Sequence, residues 1–318
     1  GFVPWVEDQL RLRAERSSED ATNGIRQAIV SLEASGTVAI ADVSNSLGAV
    51  EGLTQSSLHG LVLHEILGFD PARADAILQQ TTIMRAGIPP ADHDRVRVEV
   101  AAHAPHSISR ELFALLMANG GVKSVHVAES KAEQDFLQHG GGEWRAFLDK
   151  RVGPVPFAPP SMSPVRYLDE LGVLRPGVLA VHCVRVDEDD ARILAARDAV
   201  AVLCPRSNEY LDNGVPPLAL LFGNGVSIAL GTDSLASCAS LNVLDDARLL
   251  AGKFPRVPPS ALLHALTRGG AQALGFPRLG ELRVGSLARF ASISFDGASP
   301  QDPVAFVLKD DASARGIE

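Results

Sequence analysis

Apolar residues recur along this chain in two alternating patterns, short buried runs and longer stretches with a helical period. Residues 17–34 begin with polar capping residues and carry apolar side chains at helical spacing from Ile25 to Leu32, which predicts a helix. Gly36 ends that helix, and the apolar run 37–43 predicts a buried strand. The alternation of strand and helix then repeats, and this predicts parallel strands joined by helical crossovers.

Seven runs have the length and composition of strands. They lie at residues 37–43, 61–67, 96–102, 123–127, 178–183, 200–204 and 227–230. Helices are predicted at residues 71–80, 109–119, 131–150 with a break at the glycines 140–142, 165–174, 187–197, 217–222, 242–250, 259–267 and 270–274. Such regular α/β alternation is typical of an open doubly wound sheet and of a closed eight-stranded barrel.

Polar residues at the strand ends favour the barrel. His103 follows the third strand, His126 and His182 end the fourth and fifth, and Asp233 follows the seventh. In a closed barrel these ends converge on one mouth, whereas in an open sheet they lie along a line. We therefore predict a TIM-type (β/α)8 barrel. Because only seven strands are predicted, we expect that the first barrel strand is missing from this sequence and precedes Gly1.

The pattern changes after the last predicted helix. Residues 279–295 alternate apolar and polar positions around Gly280 and Gly285, without a helical period. This predicts the start of a small β-sandwich module, whose partner strands are not visible in the sequence. We accordingly divide the chain into a barrel at residues 1–276, holding strands two to eight, and part of the β-sandwich module at residues 277–318.

Composition narrows the classes of partner. The 318 residues are 46% hydrophobic, enough for a large core. The net charge is −9 and no basic run offsets it, which argues against a nucleic-acid or anionic-membrane partner. Three widely spaced cysteines fit reduced thiols, and no apolar run approaches the roughly 20 residues of a membrane helix. We expect a cytoplasmic protein that acts on a small molecule, either alone or as a homodimer.

The segment 125–130, Val-His-Val-Ala-Glu-Ser, carries the first candidate chemistry. A strand is predicted to end near His126, and the residues from Ser130 to Glu133 have the form of a capping box, so a helix begins after Glu129. A chain that turns there brings the imidazole and the Glu129 carboxylate over the same opening. A metal ligand beside a proton carrier is what metal-assisted hydrolysis requires.

Two later strand ends complete a candidate metal site. His126, His182 and Asp233 form a set of two nitrogen ligands and one oxygen ligand, and zinc or iron accepts such ligands. We predict one divalent ion, with zinc preferred over iron. The structural alternatives are that His182 is a hydrogen-bonded core histidine and that Asp233 caps a turn. For His103, a substrate contact and a loop hydrogen bond are equally compatible with the sequence.

Other conspicuous residues are predicted to be structural or solvated. The remaining histidines without a partner pattern are His59, His64, His93, His139 and His264. The glycine triplet at 140–142 does not open a helix after a strand, as a phosphate-binding loop would, and is predicted to be a loop.

Four motifs then occur in a characteristic order. They are His126-x-Ala-Glu129, His182-Cys183, Cys204-Pro205-x-Ser207-Asn208 and Gly231-Thr232-Asp233-Ser234. With them the sequence resembles the amidohydrolase superfamily, in particular the deaminase branch that includes methylthioadenosine/S-adenosylhomocysteine deaminases and aminodeoxyfutalosine deaminases. The Ala-His-Ala-Pro-His run at 102–106 is similar to the Pro-His-Ala-Pro-Tyr segment of that branch, with His106 in the place of Tyr.

The resemblance implies a role for each site residue. His126 and Asp233 would bind the single metal, His182 would be a third ligand or would contact only the metal-bound hydroxide, and His103 would contact the sugar portion of the substrate. The metal lowers the pKa of its water towards about 7, and the hydroxide attacks the carbon that bears an exocyclic amine. Glu129 would bind the substrate and protonate the adjacent ring nitrogen, while Asp233 would take and return the proton that leaves with ammonia.

The expected function is therefore metal-dependent hydrolytic deamination of an aminopurine nucleoside-like substrate. Related sites hydrolyse cyclic amides or the C–Cl bond of triazines, which remains an alternative. A second alternative is a degenerate, non-catalytic binding protein. The superfamily's first strand carries a His-x-His pair of metal ligands, and no His precedes His59 here, so either the expected N-terminal part is missing or the site is reduced. The presence of Glu129 argues against the binding protein, because proton transfer is its main use.

Overall fold

The structure is a computed structural model that describes residues 1–88, 94–294, 300–309 and 313–317. Its seven-stranded sheet is parallel throughout and follows the order of the sequence. The strands are β1 Ala39–Ser44, β2 His59–Ile66, β3 Val96–Ala102, β4 Ser124–Val127, β5 Leu179–His182, β6 Val200–Leu203 and β7 Ser227–Leu230. All seven predicted strands are thus confirmed, within a few residues at each end.

Helices connect the strands. They are α1 Phe2–Glu15, α2 Ser18–Ala34, α3 Ala49–Gln55, α4 Ala74–Ala86 after a 3₁₀ turn at Pro71–Arg73, α5 Arg110–Ala118, α6 Lys131–His139, α7 Gly142–Val152, α8 Pro164–Glu170, α9 Glu188–Ala196, α10 Pro205–Tyr210, α11 Leu218–Gly223, α12 Val243–Lys253, α13 Pro259–His264, a π-helical turn Ala265–Gly269, α14 Gly270–Ala273 and α15 Pro303–Val307. Four of them, α1, α3, α10 and α15, were not predicted from the sequence.

The sheet is curled, as a barrel-type architecture requires. Buried apolar side chains from β2, β3, β5, β6 and β7 pack into one cluster, namely Leu61, Leu63, Ala101, Leu179, Val200 and Ala229. This shared cluster covers the inner face of the seven-stranded sheet. The barrel-type fold is therefore confirmed, while the eighth strand and the β-sandwich stay predictions.

The outer face of the sheet packs against the helices and forms the main core. Helix α5 shows how the local sequence directs this packing. The side chain of Ser109 accepts a hydrogen bond from the Leu112 amide at 3.1 Å, which starts the helix. The helix then buries Leu112, Phe113 and Leu116 in the same cluster as Val125 of β4.

The C-terminal part contains a small two-stranded sheet. Strand β8, Phe290–Ser294, pairs antiparallel with β9, Ser313–Ile317. The expectation that no partner strand is visible in the sequence was therefore wrong, because β9 is short and rich in small and polar residues. Leu308 belongs to the main core, and Ile293 packs against it. The division of the chain at residue 276 stays a prediction.

Among the described residues, no helix has both the length and the apolar character needed to cross a membrane.

Candidate active site

The polar residues at the strand ends lie together at the carboxyl-terminal edge of the sheet. The His126 ring centroid lies 5.4 Å from that of His103 and 5.3 Å from that of His182. The Glu129 Oε2 atom is 3.7 Å from His182 Nε2. Asp233 lies close enough to shift the pKa values of His126 and His182. The structure thus brings together all five residues that the sequence suggested.

The backbone turns sharply where these strands end. Ala128 after β4, His182 and Cys183 at the end of β5, and Asp233 after β7 have φ angles of 53°, 78°, 49° and 61°. Such left-handed conformations cost non-glycine residues about 1–3 kcal/mol each and are concentrated at functional sites. The turn at Ala128 is what directs Glu129 towards His182.

A carboxylate from the following helix holds the Ala128 turn. Glu133 Oε1 accepts a hydrogen bond from the Ala128 amide at 3.1 Å, and Oε2 accepts one from the Glu129 amide at 2.7 Å. The hydroxyl of Ser130 caps α6 by accepting from the Glu133 amide. The capping-box prediction was therefore right for Ser130 and wrong for Glu133, whose carboxylate passes the cap and reaches the turn.

Glu129 is buried, and both an imidazole and other carboxylates lie near its side chain. Burial raises its pKa to about 8; the nearby His126 acts against this rise, while Asp233 and Glu133 add to it. The carboxyl group therefore holds its proton at neutral pH, the form in which it can donate a proton. The Asn213 amide nitrogen lies 3.5 Å from Glu129 Oε1.

His126 faces a carboxylate that the sequence analysis missed. Its Nε2 atom lies 3.4 Å from Glu65 Oε1. Burial acts to lower the pKa of His126, but the hydrogen bond to Glu65 and the carboxylates of Glu65, Glu129 and Asp233 raise it. Burial acts to raise the pKa of Glu65, yet the contacts with His126, His103 and Asn45 lower it to about 2. The neighbouring His126 therefore stabilises the ionised form of Glu65.

His182 is held by an amide on its other side. The Asn208 side-chain nitrogen lies 3.0 Å from His182 Nδ1, so this nitrogen has the partner expected of a core histidine. Burial and the nearby His126 lower the pKa of His182 to about 4, although Asp233 and Asn208 oppose the change. The ring is thus neutral, and its Nε2 atom remains directed at Glu129.

The structure also contains the structural contacts that were the alternatives for His103 and Asp233, a loop hydrogen bond and a turn cap. His103 Nδ1 forms a 2.6 Å hydrogen bond with Ser107 Oγ, the loop contact considered for this residue. Burial lowers the pKa of His103 to about 3. Asp233 caps its own turn, since Oδ1 accepts from the Ser234 amide at 2.7 Å, and Oδ2 accepts from Ser207 Oγ at 2.6 Å. Because these contacts are structural, the substrate role of His103 and the metal role of Asp233 stay proposals.

The nitrogen and oxygen atoms of His126, His182 and Asp233 are of the types that bind divalent metals. Among the described residues, however, no three His, Cys, Asp or Glu side chains are grouped closely enough to hold a metal ion by themselves. His126 Nε2 is turned to Glu65, while its buried Nδ1 has no hydrogen-bond partner within the described part of the chain. A buried imidazole nitrogen that lacks a hydrogen-bond partner and lies near carboxylates can bind a metal ion whose other ligands come from elsewhere.

Of the remaining histidines, His106 lies beside this group, with its ring centroid 5.8 Å from that of His103. His106 is buried against Trp144, with ring centroids 4.3 Å apart. His59 packs edge-on against Phe276, and His64 is buried on β2. His139 and His264 end helices, and His93 lies outside the described residues. Gly140, with a φ of 72°, terminates α6 before α7 begins at Gly142, so the glycine triplet is a helix break, as predicted.

Glu65, Asn213 and Glu133 are the site residues that sequence reasoning missed. Glu65 lies near the end of β2, and the strand-end signal that selected His126 could have found it. Asn213 and Glu133 carry no such signal, because their positions depend on the turns that precede them.

Comparison with known proteins agrees with this geometry. The model of the amidohydrolase family matches residues 6–316. This chain belongs to the amidohydrolase family. The predicted resemblance is thereby confirmed at the level of the family.

Individual relatives extend the comparison. The chain is 32% identical over 246 residues to an aminodeoxyfutalosine deaminase of Deinococcus radiodurans, a match that covers 72% of this chain and 58% of that protein. It is 30% identical over 307 residues to a 5-methylthioadenosine/S-adenosylhomocysteine deaminase of Pelotomaculum thermopropionicum, covering 92% of this chain and 66% of the relative. The chain thus matches less than two thirds of the length of these curated relatives.

A solved structure shows the same fold. The aminofutalosine deaminase of Helicobacter pylori superposes with a TM-score of 0.78 at 22% identity, over 93% of this chain and 75% of that one. At this identity the likeness supports the barrel-type architecture.

Proposed function

We propose that this amidohydrolase is a metal-dependent hydrolytic deaminase that releases ammonia from an aminopurine nucleoside-like small molecule. The observation that carries the proposal is the position of the buried Glu129 carboxyl, whose Oε2 atom lies 3.7 Å from His182 Nε2 in the group that also contains His126 and Asp233. A buried acid next to a candidate metal ligand set matches the proton chemistry of deamination. Two relatives whose names state deamination of nucleoside-type substrates support it.

His126 and Asp233 would hold one divalent ion, zinc in the first place, with His182 as a further ligand or as a contact to the attacking water. When bound, such an ion supplies a nucleophilic hydroxide at neutral pH. The nitrogen and carboxylate donors of this set suit zinc and iron.

The chain's own residues would carry out the proton transfers. Glu129 would donate its proton to the ring nitrogen beside the carbon that bears the amine. His182, which is neutral and held at Nδ1 by Asn208, would orient the attacking water through Nε2. Asp233 would accept a proton at a carboxylate oxygen and return it to the departing ammonia, and His103 would contact the sugar.

We further propose that the working site includes an eighth strand that carries a His-x-His pair. Within the described residues, β1 pairs with β2 alone and β7 with β6 alone, so a strand between β7 and β1 would close the barrel. Each backbone amide or carbonyl left buried without a partner costs about 1–3 kcal/mol. The unpartnered Nδ1 atom of His126 supports the same proposal.

An ammonia-release screen tests the proposed reaction. The intact protein, supplied with zinc, is assayed with adenosine, 5-methylthioadenosine, S-adenosylhomocysteine, a pterin, a cyclic amide and a chlorotriazine. We expect ammonia release and a purine absorbance change with at least one aminopurine nucleoside. Chloride release or amide hydrolysis alone would establish the alternative hydrolase, and no turnover with a metal stoichiometry near zero would establish the non-catalytic binding protein.

A further inference from the structure

Among the described residues, three helices, α2, α6 and α9, begin with a serine or aspartate cap that is followed three residues later by an acidic residue. In α2 and α9 this residue is an aspartate that reaches back to its own cap residue. The Asp20 carboxylate accepts from the Ser17 amide at 3.1 Å, and the Asp190 carboxylate accepts from the Asp187 amide at 3.2 Å. Both form reciprocal capping boxes.

At α6 the corresponding residue is Glu133, and its carboxylate does something different. It accepts hydrogen bonds from the amides of Ala128 and Glu129, two residues and one residue before the Ser130 cap, at 3.1 and 2.7 Å. The extra methylene of glutamate allows this longer reach. The two amides flank the left-handed peptide at Ala128, whose φ is 53°, so the carboxylate binds the backbone that aims the Glu129 side chain.

The surroundings of Glu133 suit a rigid support. The residue is 1% exposed, and a buried carboxylate persists only where hydrogen bonds compensate its desolvation. His106 Nδ1 lies 3.8 Å from Glu133 Oε1, and the His106 carbonyl accepts from Trp144 Nε1 at 2.7 Å. The His106 ring, which packs against Trp144, therefore lies against the Glu133 carboxylate.

We propose that Glu133 is a positioning residue for Glu129, which it orients by clamping the amides of Ala128 and Glu129 while Ser130 caps the helix. This inference rests on the proposed function, because it assigns Glu133 to the proton-transfer step. The sequence pattern suggests a single capping box, whereas in the structure Ser130 caps the helix and Glu133 holds the turn before it.

The substitution Glu133→Asp separates the roles experimentally. The shorter side chain can form the ordinary capping box seen at α2 and α9 but cannot reach the Ala128 turn. A misplacement of about 1 Å in a catalytic group can cost about 10²-fold in rate, so we expect kcat to fall about 10- to 100-fold with KM little changed. Glu133→Gln keeps the length but presents an NH₂ group to one backbone amide, and kcat should fall as well.

Asp190→Asn is the matched control. Asp190 is also 1% exposed and occupies the same position in α9, where it contacts Ser163 Oγ at 2.5 Å and no residue of the site. This variant should lower the thermal midpoint while leaving kcat per folded molecule unchanged. An equal loss of kcat in Asp190→Asn and Glu133→Asp would overturn the positioning role.

A double-mutant cycle identifies the group through which Glu133 acts. If it acts through Glu129, Glu133→Asp should cause no further loss of kcat in the Glu129→Gln background. Multiplicative losses would overturn the proposal.

Hydrogen exchange separates this proposal from the proposed function. The amides of residues 128 and 129 should exchange faster in Glu133→Asp than in the parent protein, and unchanged exchange would overturn the clamp. If the parent protein releases no ammonia from any substrate, the proposed function fails, while the exchange measurement still decides whether Glu133 holds the turn.

Discussion

The Glu129 carboxyl is the residue whose chemistry depends most on its surroundings. A solvent-exposed glutamate is ionised at neutral pH. Burial between His182 and the Ala128 turn raises its pKa to about 8, so the folded protein stores a proton next to the candidate metal ligands. The same residue type elsewhere on the surface would be a solvated base.

Replacing Glu129 tests this role. Glu129→Gln preserves the shape of the side chain but removes the transferable proton, and general acid–base catalysis contributes about 10²–10⁴-fold in rate. We expect kcat to fall by that factor while zinc content, measured by metal analysis of the purified protein, is retained. Loss of the metal together with the activity would show that Glu129 is a ligand instead.

At the scale of elements, the strand ends place the site and the helix termini shape it. Strands β4, β5 and β7 are each followed by a left-handed residue, which turns the chain across the mouth instead of along the strand. Helix α1 covers part of this region, since Trp5 Nε1 donates to the Ala236 carbonyl at 3.2 Å. The local pattern of apolar residues predicts neither the left-handed turns nor the position of α1.

The edge strand β1 gives a pH prediction. Asp42 pairs in register with Val62, which belongs to the buried cluster beneath α2 and α3, and burial raises the pKa of Asp42 to about 6. The unfolded value is about 3.9, so the folded state binds this proton more tightly. The contribution of Asp42 to stability is therefore most favourable below about pH 4 and is lost as the pH rises through about 6.

Asp42→Asn should consequently raise the thermal midpoint at pH 7.5 and leave it nearly unchanged at pH 4. Thermal unfolding followed by circular dichroism at both pH values measures the difference. Asp75→Asn, at an exposed position in α4, is the control and should lack this pH-dependent gain. An equal gain of Asp42→Asn at both pH values would show that proton binding is not its cause.

At the scale of the whole molecule, we expect metal binding and stability to be coupled. A ligand that binds only the folded state at 100 times its Kd stabilises it by about 2.7 kcal/mol. Treatment with a chelator should therefore abolish activity and lower the thermal midpoint, and added zinc should restore both. In His126→Ala or Asp233→Ala, zinc should restore neither, and full metal occupancy in both variants would refute the ligand assignment.

The sequence by itself determined the parallel alternation of strands and helices and the residues at the strand ends. Both follow from local rules, since the hydrophobic period identifies each element and parallel connections place all carboxyl ends on one edge. For that reason His103, His126, His182 and Asp233 could be predicted as neighbours although more than 100 residues separate the first from the last.

Only the tertiary structure decided how these groups face one another. Glu65 turns to His126, and Glu133 bypasses its helix cap, because left-handed turns and side-chain directions fix these contacts. The pairing of β8 with β9 depends likewise on a partner that is distant in the sequence and has a weak pattern of its own. Local periodicity does not encode such contacts, because they arise when packing brings separate turns to one place.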